Sequence, residues 1–339
     1  MKSLVCDKPF NLKYIETEKP DIKADELLVK VSSVGICGTD IHAYTGNQPF
    51  FSYPRVLGHE LCGIVEAVGE NENKTFKTGD KVALIPYVAC QQCPSCLSGK
   101  TNCCENISVI GVHEDGGFSE YLAVPKDNVL LVNDIDNHTA ALIEPFAISA
   151  HGVRRANLKQ NEHVLVVGAG PIGLGAAAIA AADGAHVLVA DTQPERREHV
   201  KTYLNLPTLN PIDDDFHEKM SSFFNGALAE TVIDATGNAV AMNTAVNHIR
   251  HGGKIVFIGL FKGNIEIHDP DFHKKETTLI GSRNATREDF EKVLILMEQG
   301  KLKAEMMQTH TFDFHTIGMS YEESVINNRS LLKGVIDFI

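Results

Sequence analysis

The chain has 339 residues, 43% hydrophobic and 22% charged with only 13 prolines, an ordinary make-up for a soluble globular protein and long enough for two domains. A formal net charge of −13 argues against a nucleic-acid or anionic-membrane face, because phosphate recognition needs a basic footprint. No apolar run reaches the roughly eighteen residues of a membrane helix, and Met1–Asp7 lacks the apolar core of a signal peptide, so a cytoplasmic location is expected.

In chain order, the first third is a series of short β segments: Glu26 to Val34, Gly63 to Val68, Lys81 to Ile85 and Phe118 to Val124. Gly, Pro and Asn break each one, the pattern of a twisted, barrel-like β domain. Past about residue 150 the rhythm changes. His163 to Val167 predicts a buried strand, Gly168 to Ala182 a Gly/Ala-rich buried helix, and His186 to Ala190 a second strand ending at Asp191. Thr231 to Ala235 and Lys254 to Ile258 predict further buried strands, with helical spacing from Ala239 to Ile249 between them. Strands alternating with helices imply a parallel, doubly wound sheet. A charged amphipathic helix, Arg287 to Gln299, is stopped by Gly300.

Four of the eight cysteines cluster as Cys90-Gln-Gln-Cys93-Pro-Ser-Cys96, with Cys104 eight residues on. Four thiolates at this spacing fit the closed tetrahedral shell of a structural Zn²⁺ and a reducing compartment. Cys103 adjoins Cys104 and is an alternative fourth ligand. Cys6 and Cys62 read as indifferent buried thiols.

A second ligand set is spread along the chain. Gly35-Ile-Cys37-Gly-Thr39-Asp40-Ile-His42 and Gly58-His59-Glu60 supply a thiolate and an imidazole, a good pair for a catalytic Zn²⁺ that needs a third protein ligand and one open position. Glu60 and Glu144 are the candidates for the third. Glu144 sits in Ala141-Leu-Ile-Glu144-Pro145, and a carboxylate in so apolar a context needs a partner or a metal. Thr39 and His42 follow Cys37 at the spacing of a hydroxyl–ribose–imidazole proton relay.

Val164-Leu-Val-Val-Gly168-Ala-Gly170-Pro171-Ile172-Gly173 is a G-x-G-x-x-G turn directly after a strand and opening a helix, the fingerprint of a dinucleotide pyrophosphate site. Asp191 ends the next strand, where a carboxylate accepts both ribose hydroxyls and repels a 2′-phosphate, so NAD is expected over NADP. Arg196 and Arg197 follow on the next helix; Arg196 is the nearer candidate for a cofactor contact.

Taken together, Cys37-Gly-Thr39-Asp40, Gly-His59-Glu60, the four-cysteine lobe, Glu144-Pro145 and Gly168-x-Gly170-x-x-Gly173 resemble the zinc-dependent medium-chain alcohol/polyol dehydrogenases over essentially the whole chain. The resemblance implies an α/β fold: a GroES-like β catalytic domain (1–149) carrying the structural zinc lobe, an inserted Rossmann NAD-binding domain (150–280), and a return to the catalytic domain (281–339). It implies Cys37, His59 and Glu144 as zinc ligands with Glu60 as a near or alternating one, Thr39 and His42 as the relay, Cys104 as the fourth lobe ligand, and a homo-oligomer. Glutamate at 144, where the simplest members have cysteine, looks like the sorbitol-type branch with polyhydroxylated substrates. Within it, Gly46–Arg55, Glu144–Ser149 and Gly281–Thr286 look most like members that oxidise a sugar acid. A sugar acid carries a remote carboxylate, for which Arg283 is the first candidate cation and Arg55 and Lys262 the next; Arg283 on the pyrophosphate is the competing role. Polyol or L-threonine oxidation, and a regulatory protein that keeps the fold without turnover, are the rival readings.

Overall fold

A computed structural model describes residues 1–47, 51–70 and 75–338. Residues 48–50 of the Gly46–Arg55 segment lie outside the described residues. The chain divides into two compact units, Met1–Glu144 with Gln308–Ile339, and Pro145–Met307.

In the first unit the long strand Glu26–Ile36 is central. It pairs antiparallel with Glu60–Val68, with Tyr121–Pro125 and with the late strand Gly334–Asp337, which itself runs parallel to His310–Asp313. Lys81–Leu84 and Val129–Leu131 extend the sheet beyond Glu60–Val68. Two register shifts, at Leu28/Val29 and Val31/Ser33, let the central strand coil enough to serve three partners. Leu27, Val29, Val31 and Val34 are buried with Leu61, Val65, Phe118 and Phe314 as the core of this unit. Each such side chain contributes about 1.5–3 kcal/mol on burial.

The second unit holds a six-stranded sheet in the order Thr208–Leu209, His186–Ala190, His163–Val167, Ala229–Asp234, Ile249–Phe257, Thr278–Gly281, every pair parallel. Chain order along that sheet is 3-2-1-4-5-6, the doubly wound dinucleotide-binding topology. The inner strands are continuous apolar runs because both faces are buried, as a parallel sheet requires.

Differences from the expected elements have local causes. The strand expected from Lys254 starts at Ile249, because Ile249 already pairs with Ala229 before the register shifts; the helical stretch before it runs as an α-helix to Thr244 and a 3-10 helix to His248. The segment expected to begin a strand at Phe118 instead bonds back to the loop before His59, with Gly117 N–H on Gly58 C=O and Phe118 N–H on Leu57 C=O. The helix Arg287–Glu298 packs in the second unit, and the chain joins the first unit again only from Gln308. Asp289 of that helix is held there: His151 Nδ1 lies 2.8 Å from Asp289 Oδ2, and Arg154 donates from Nε to Oδ1 at 2.6 Å.

Candidate active site

Cys37 and Glu60 meet because they sit at the same end of two adjacent strands. Glu26–Ile36 ends just before Cys37, Glu60–Val68 begins at Glu60, and Gly35 pairs directly opposite Glu60. Glycine makes room for it there, since a Cβ on residue 35 would stand 2.1 Å from Glu60 Oε2 and the carboxylate would have to shift. Cys37 also caps the helix Gly38–Tyr44, in which Asp40 Oδ2 accepts the Cys37 N–H at 2.8 Å and Asp40 Oδ1 accepts the Gly58 N–H at 3.2 Å. One buried carboxylate thus fixes both the cysteine turn and the loop that carries His59. The donor atoms of Cys37, His59 and Glu60 lie within 4.8 Å of one another.

His59 Nδ1 is 3.7 Å from Asp40 Oδ1 and is buried without a hydrogen-bond partner among the described residues. Burial alone would push this imidazole down; Cys37 and then Asp40 outweigh it and leave it well above the ordinary histidine range. A thiolate, an imidazole and a carboxylate converging beside an orphaned ring nitrogen fit a Zn²⁺ ion in both ligand type and number.

The two acidic candidates are held differently. Glu60, 1% exposed, accepts Lys333 Nζ on both oxygens, at 2.7 and 2.8 Å, and the same ammonium donates to Ile36 C=O at 3.0 Å. Burial would lower the Lys333 pKa, but Glu60 and Cys37 raise it. Glu144 falls outside the 4.8 Å trio, and its Oε1 accepts the phenol O–H of Tyr87. Burial pushes the Glu144 carboxyl up to about 7, and burial together with Glu144 pushes the Tyr87 phenol far up. Thr39 is half-buried and His42 exposed, at positions i and i+3 of the helix Gly38–Tyr44, hence on one face.

Sequence reasoning missed Lys333 and Tyr87. A lysine set against the apolar run Val335–Ile336 carried the same signal that singled out Glu144, a charge in a buried context. Tyr87 carried none beyond its place three residues before Cys90.

The sulfurs of Cys90, Cys93, Cys96 and Cys104 form a second cluster, and Cys103 is exposed outside it. Gln91, in the left-handed region at φ 59°, turns the chain here. Amide N–H groups of Gln92 and Cys93 bring the Cys90 thiol down to about 6, and those of Glu105 and Cys96 lower Cys93. Burial, followed by the neighbouring sulfurs, pushes Cys96 up to about 12. Amides that favour thiolates beside a sulfur that cannot ionise among them make a shell that a cation completes.

In the second unit, His163–Val167 runs into Gly168, whose N–H donates to Ala190 C=O at 2.8 Å, and the helix Pro171–Ala182 starts from Gly170. A Cβ on Gly173 would lie 1.7 Å from Gly168 C=O oxygen, so only glycine allows the turn to close on the helix. Asp191, 7% exposed, stands beside that turn: Oδ2 accepts the Ala169 N–H at 2.7 Å and Oδ1 the Gln193 N–H at 2.8 Å. Arg196 Nη1 is 3.8 Å from Asp191 Oδ2, and Arg197 Nη1 donates to the Asp191 C=O at 2.7 Å. A glycine cradle, a helix N-terminus and an adjacent carboxylate fit an adenine dinucleotide. Arg283 and Lys262 belong to the same unit and are exposed. Arg55, in the first unit, reaches Asp115 at 3.3 Å and Ser52 at 3.1 Å.

Two family models match: the alcohol dehydrogenase GroES-like domain over residues 23–134 and the zinc-binding dehydrogenase domain over residues 171–299. The L-galactonate-5-dehydrogenase of Escherichia coli K12 is 63% identical over 338 residues, covering 100% of this chain and 99% of that one. The chain belongs to the zinc-binding alcohol dehydrogenases. It is a dehydrogenase with a GroES-like and a Rossmann-type domain. A sorbitol dehydrogenase of Bacillus subtilis is 35% identical over 289 residues, 83% of this chain and 81% of that one. An Escherichia coli CFT073 alcohol dehydrogenase solved with NADH superposes with a TM-score of 0.92 at 34% identity, covering 100% of this chain and 99% of the other. No helix among the described residues is long and apolar enough to cross a membrane.

Proposed function

We propose that this protein oxidises a secondary alcohol of a sugar acid with NAD, L-galactonate at C5 to D-tagaturonate. The observation that carries this reading is the 63% identity, end to end, to an L-galactonate-5-dehydrogenase. The donor set at Cys37, His59 and Glu60 supports the chemistry.

Zinc, when bound, supplies a Lewis acid toward the substrate hydroxyl, and NAD supplies the hydride acceptor. Cys37, His59 and one of Glu60 or Glu144 hold the ion; Cys90, Cys93, Cys96 and Cys104 hold the structural one. The Thr39 hydroxyl accepts the proton released from the alcohol as it gives up its own toward exposed His42, which passes a proton to solvent, as their common helix face allows. Gly168, Gly170, Pro171, Ile172 and Gly173 cradle the pyrophosphate and Asp191 orients the adenosine ribose, with Arg196 at its edge. Arg283 binds the substrate carboxylate. Arg55, which Asp115 engages, and Lys262 are the next candidates. In this reading the unit Met1–Glu144 with Gln308–Ile339 is the catalytic domain and the unit Pro145–Met307 the cofactor domain.

A polyol substrate is the second reading, favoured by the 35% identity to a sorbitol dehydrogenase. We place the protein in the cytoplasm, in keeping with its free thiols. A homo-oligomer is supported by the strand Thr278–Gly281, which ends its sheet and leaves Leu279 40% exposed, an edge open to pairing with a second copy. Turnover of L-galactonate against sorbitol tests the substrate assignment; equal or better turnover of sorbitol would reject it.

A further inference from the structure

Glu144 is 3% exposed, and its carboxylate is near enough to His59 and Glu60 for their charges to act on it. Its Oε1 takes the phenol O–H of Tyr87. Tyr87 opens the short strand Tyr87–Val88, which pairs antiparallel with Ser108–Val109, Tyr87 opposite Val109. These two strands are the neck of the cysteine lobe, since Cys90, Cys93, Cys96 and Cys104 all lie on the chain between them.

The neck is tied at both ends. On the lobe side, Cys90 N–H donates to Cys104 Sγ at 3.2 Å, tying the backbone three residues after Tyr87 to the last sulfur of the lobe. On the sheet side, Asn128 Nδ2 donates to Ile85 C=O at 2.8 Å and Tyr87 C=O at 3.1 Å, and Ile110 N–H donates to Pro86 C=O at 3.0 Å. Tyr87 therefore has little freedom of its own: its backbone follows the lobe, and its hydroxyl follows the carboxylate.

The structure assigns Tyr87 as a positioning residue that ties the four-sulfur lobe to Glu144, so that metal in the lobe sets how firmly this carboxylate is held at the second metal site. The link rests on the reading that Cys37, His59 and Glu60 hold a metal with Glu144 beside them. Metal closes a four-thiolate loop that is otherwise free to open, and the order it imposes passes along the neck. Partners that orient a ligand set change metal affinity about 10–100-fold, which is the size of effect expected here. Linkage makes the coupling reciprocal: filling either site favours filling the other.

The test uses the full-length zinc protein. Zinc content, and the affinity of the Cys37 site in competition with a chromogenic chelator, are measured for the wild-type chain, Tyr87→Phe, Cys93→Ser and the double variant. Tyr87→Phe should retain both metals but weaken the Cys37 site about 10–100-fold. Cys93→Ser should lose the lobe metal and weaken the Cys37 site by a similar factor. The double variant should then be no weaker than Cys93→Ser alone, because in this proposal the lobe acts on Glu144 through the phenol. Wild-type affinity in Tyr87→Phe, or single effects that multiply in the double variant, would overturn the link. If Cys93→Ser does not fold, cobalt exchanged into the Cys37 site of Tyr87→Phe reads the same connection. A displaced ligand-field band supports it; a band unchanged from wild type overturns it. A wild-type protein with the lobe zinc alone, from which Cys37→Ser removes no metal, would overturn the metal-site reading itself and the link with it.

Discussion

Lys333 places its ammonium 2.7 and 2.8 Å from the two oxygens of Glu60, a residue 273 positions earlier in the chain, with both side chains buried. A lysine just before the strand Gly334–Asp337 thereby pairs with a carboxylate at the site where Glu26–Ile36 ends and Glu60–Val68 begins. Removing one partner of such a pair leaves a charge in a low-dielectric setting, which costs about 3–5 kcal/mol. Lys333→Met should lower the unfolding free energy by about that amount in urea titration. Lys333→Met combined with Glu60→Gln should recover much of the loss, and a double variant as unstable as the simple sum would show the two groups to be independent.

Asp289 gives a pH-dependent contribution of known sign. Burial would raise its pKa, but His151 and then Arg154 hold it well below the ordinary carboxylate value. The folded state therefore binds this proton less readily than the unfolded state, whose value is about 3.9. Stability from the clamp is complete above that pH and is lost as the pH falls below it toward the folded value. Asp289→Asn should cost about 1.5–3 kcal/mol at neutral pH, the usual loss of hydrogen bonds to a charged group. That difference from wild type should shrink in denaturant titrations near pH 3. A cost that does not change with pH would contradict the clamp.

If Asp191 holds the adenosine ribose, as proposed, cofactor choice follows from it; its two oxygens hold the turn through the Ala169 and Gln193 N–H groups. Asp191→Ser removes the negative charge and leaves Arg196 and Arg197 beside the ribose position. Steady-state kinetics should show kcat/KM with NAD falling about tenfold or more, one charge-assisted contact being worth about 1.5–3 kcal/mol, while NADP gains relative to NAD. An unchanged NAD-to-NADP ratio would remove Asp191 from the ribose.

Much of the fold was legible because the signals are local. The run His163–Val167 and its three glycines spell strand, turn and helix within one stretch, and Gly173 is required by a carbonyl only five residues before it. The sulfur lobe was legible for the same reason: its ligands come from one short loop. Pairings across the chain were not. Nothing near Lys333 points to Glu60, and nothing near Tyr87 points to Glu144, because those partners are set by which strands lie side by side. The same cause left the third ligand open between Glu60 and Glu144 on the residues alone, with only the resemblance favouring Glu144. Only strand register puts Glu60 opposite Gly35 and next to Cys37, and gives Glu144 to a tyrosine.

Metal content offers a separate check on the two clusters. Cys37→Ser should lose one of two zinc ions per chain and nearly all turnover, while keeping the wild-type fold by circular dichroism, because its site is not what folds the lobe. Cys103→Ser, changing an exposed thiol outside both clusters, should lose neither metal nor activity. Loss of zinc in Cys103→Ser would mean that the lobe is assembled from a different set of sulfurs.

The most direct test of the central claim is NADH formation by the zinc-loaded protein with L-galactonate, L-idonate, D-gluconate, sorbitol and L-threonine, each before and after chelation. Chelator-sensitive turnover on L-galactonate, well above the other four, is the predicted result. Turnover on sorbitol or L-threonine in its place would contradict the sugar-acid assignment, and turnover that survives complete zinc removal would contradict the metal chemistry at Cys37 and His59.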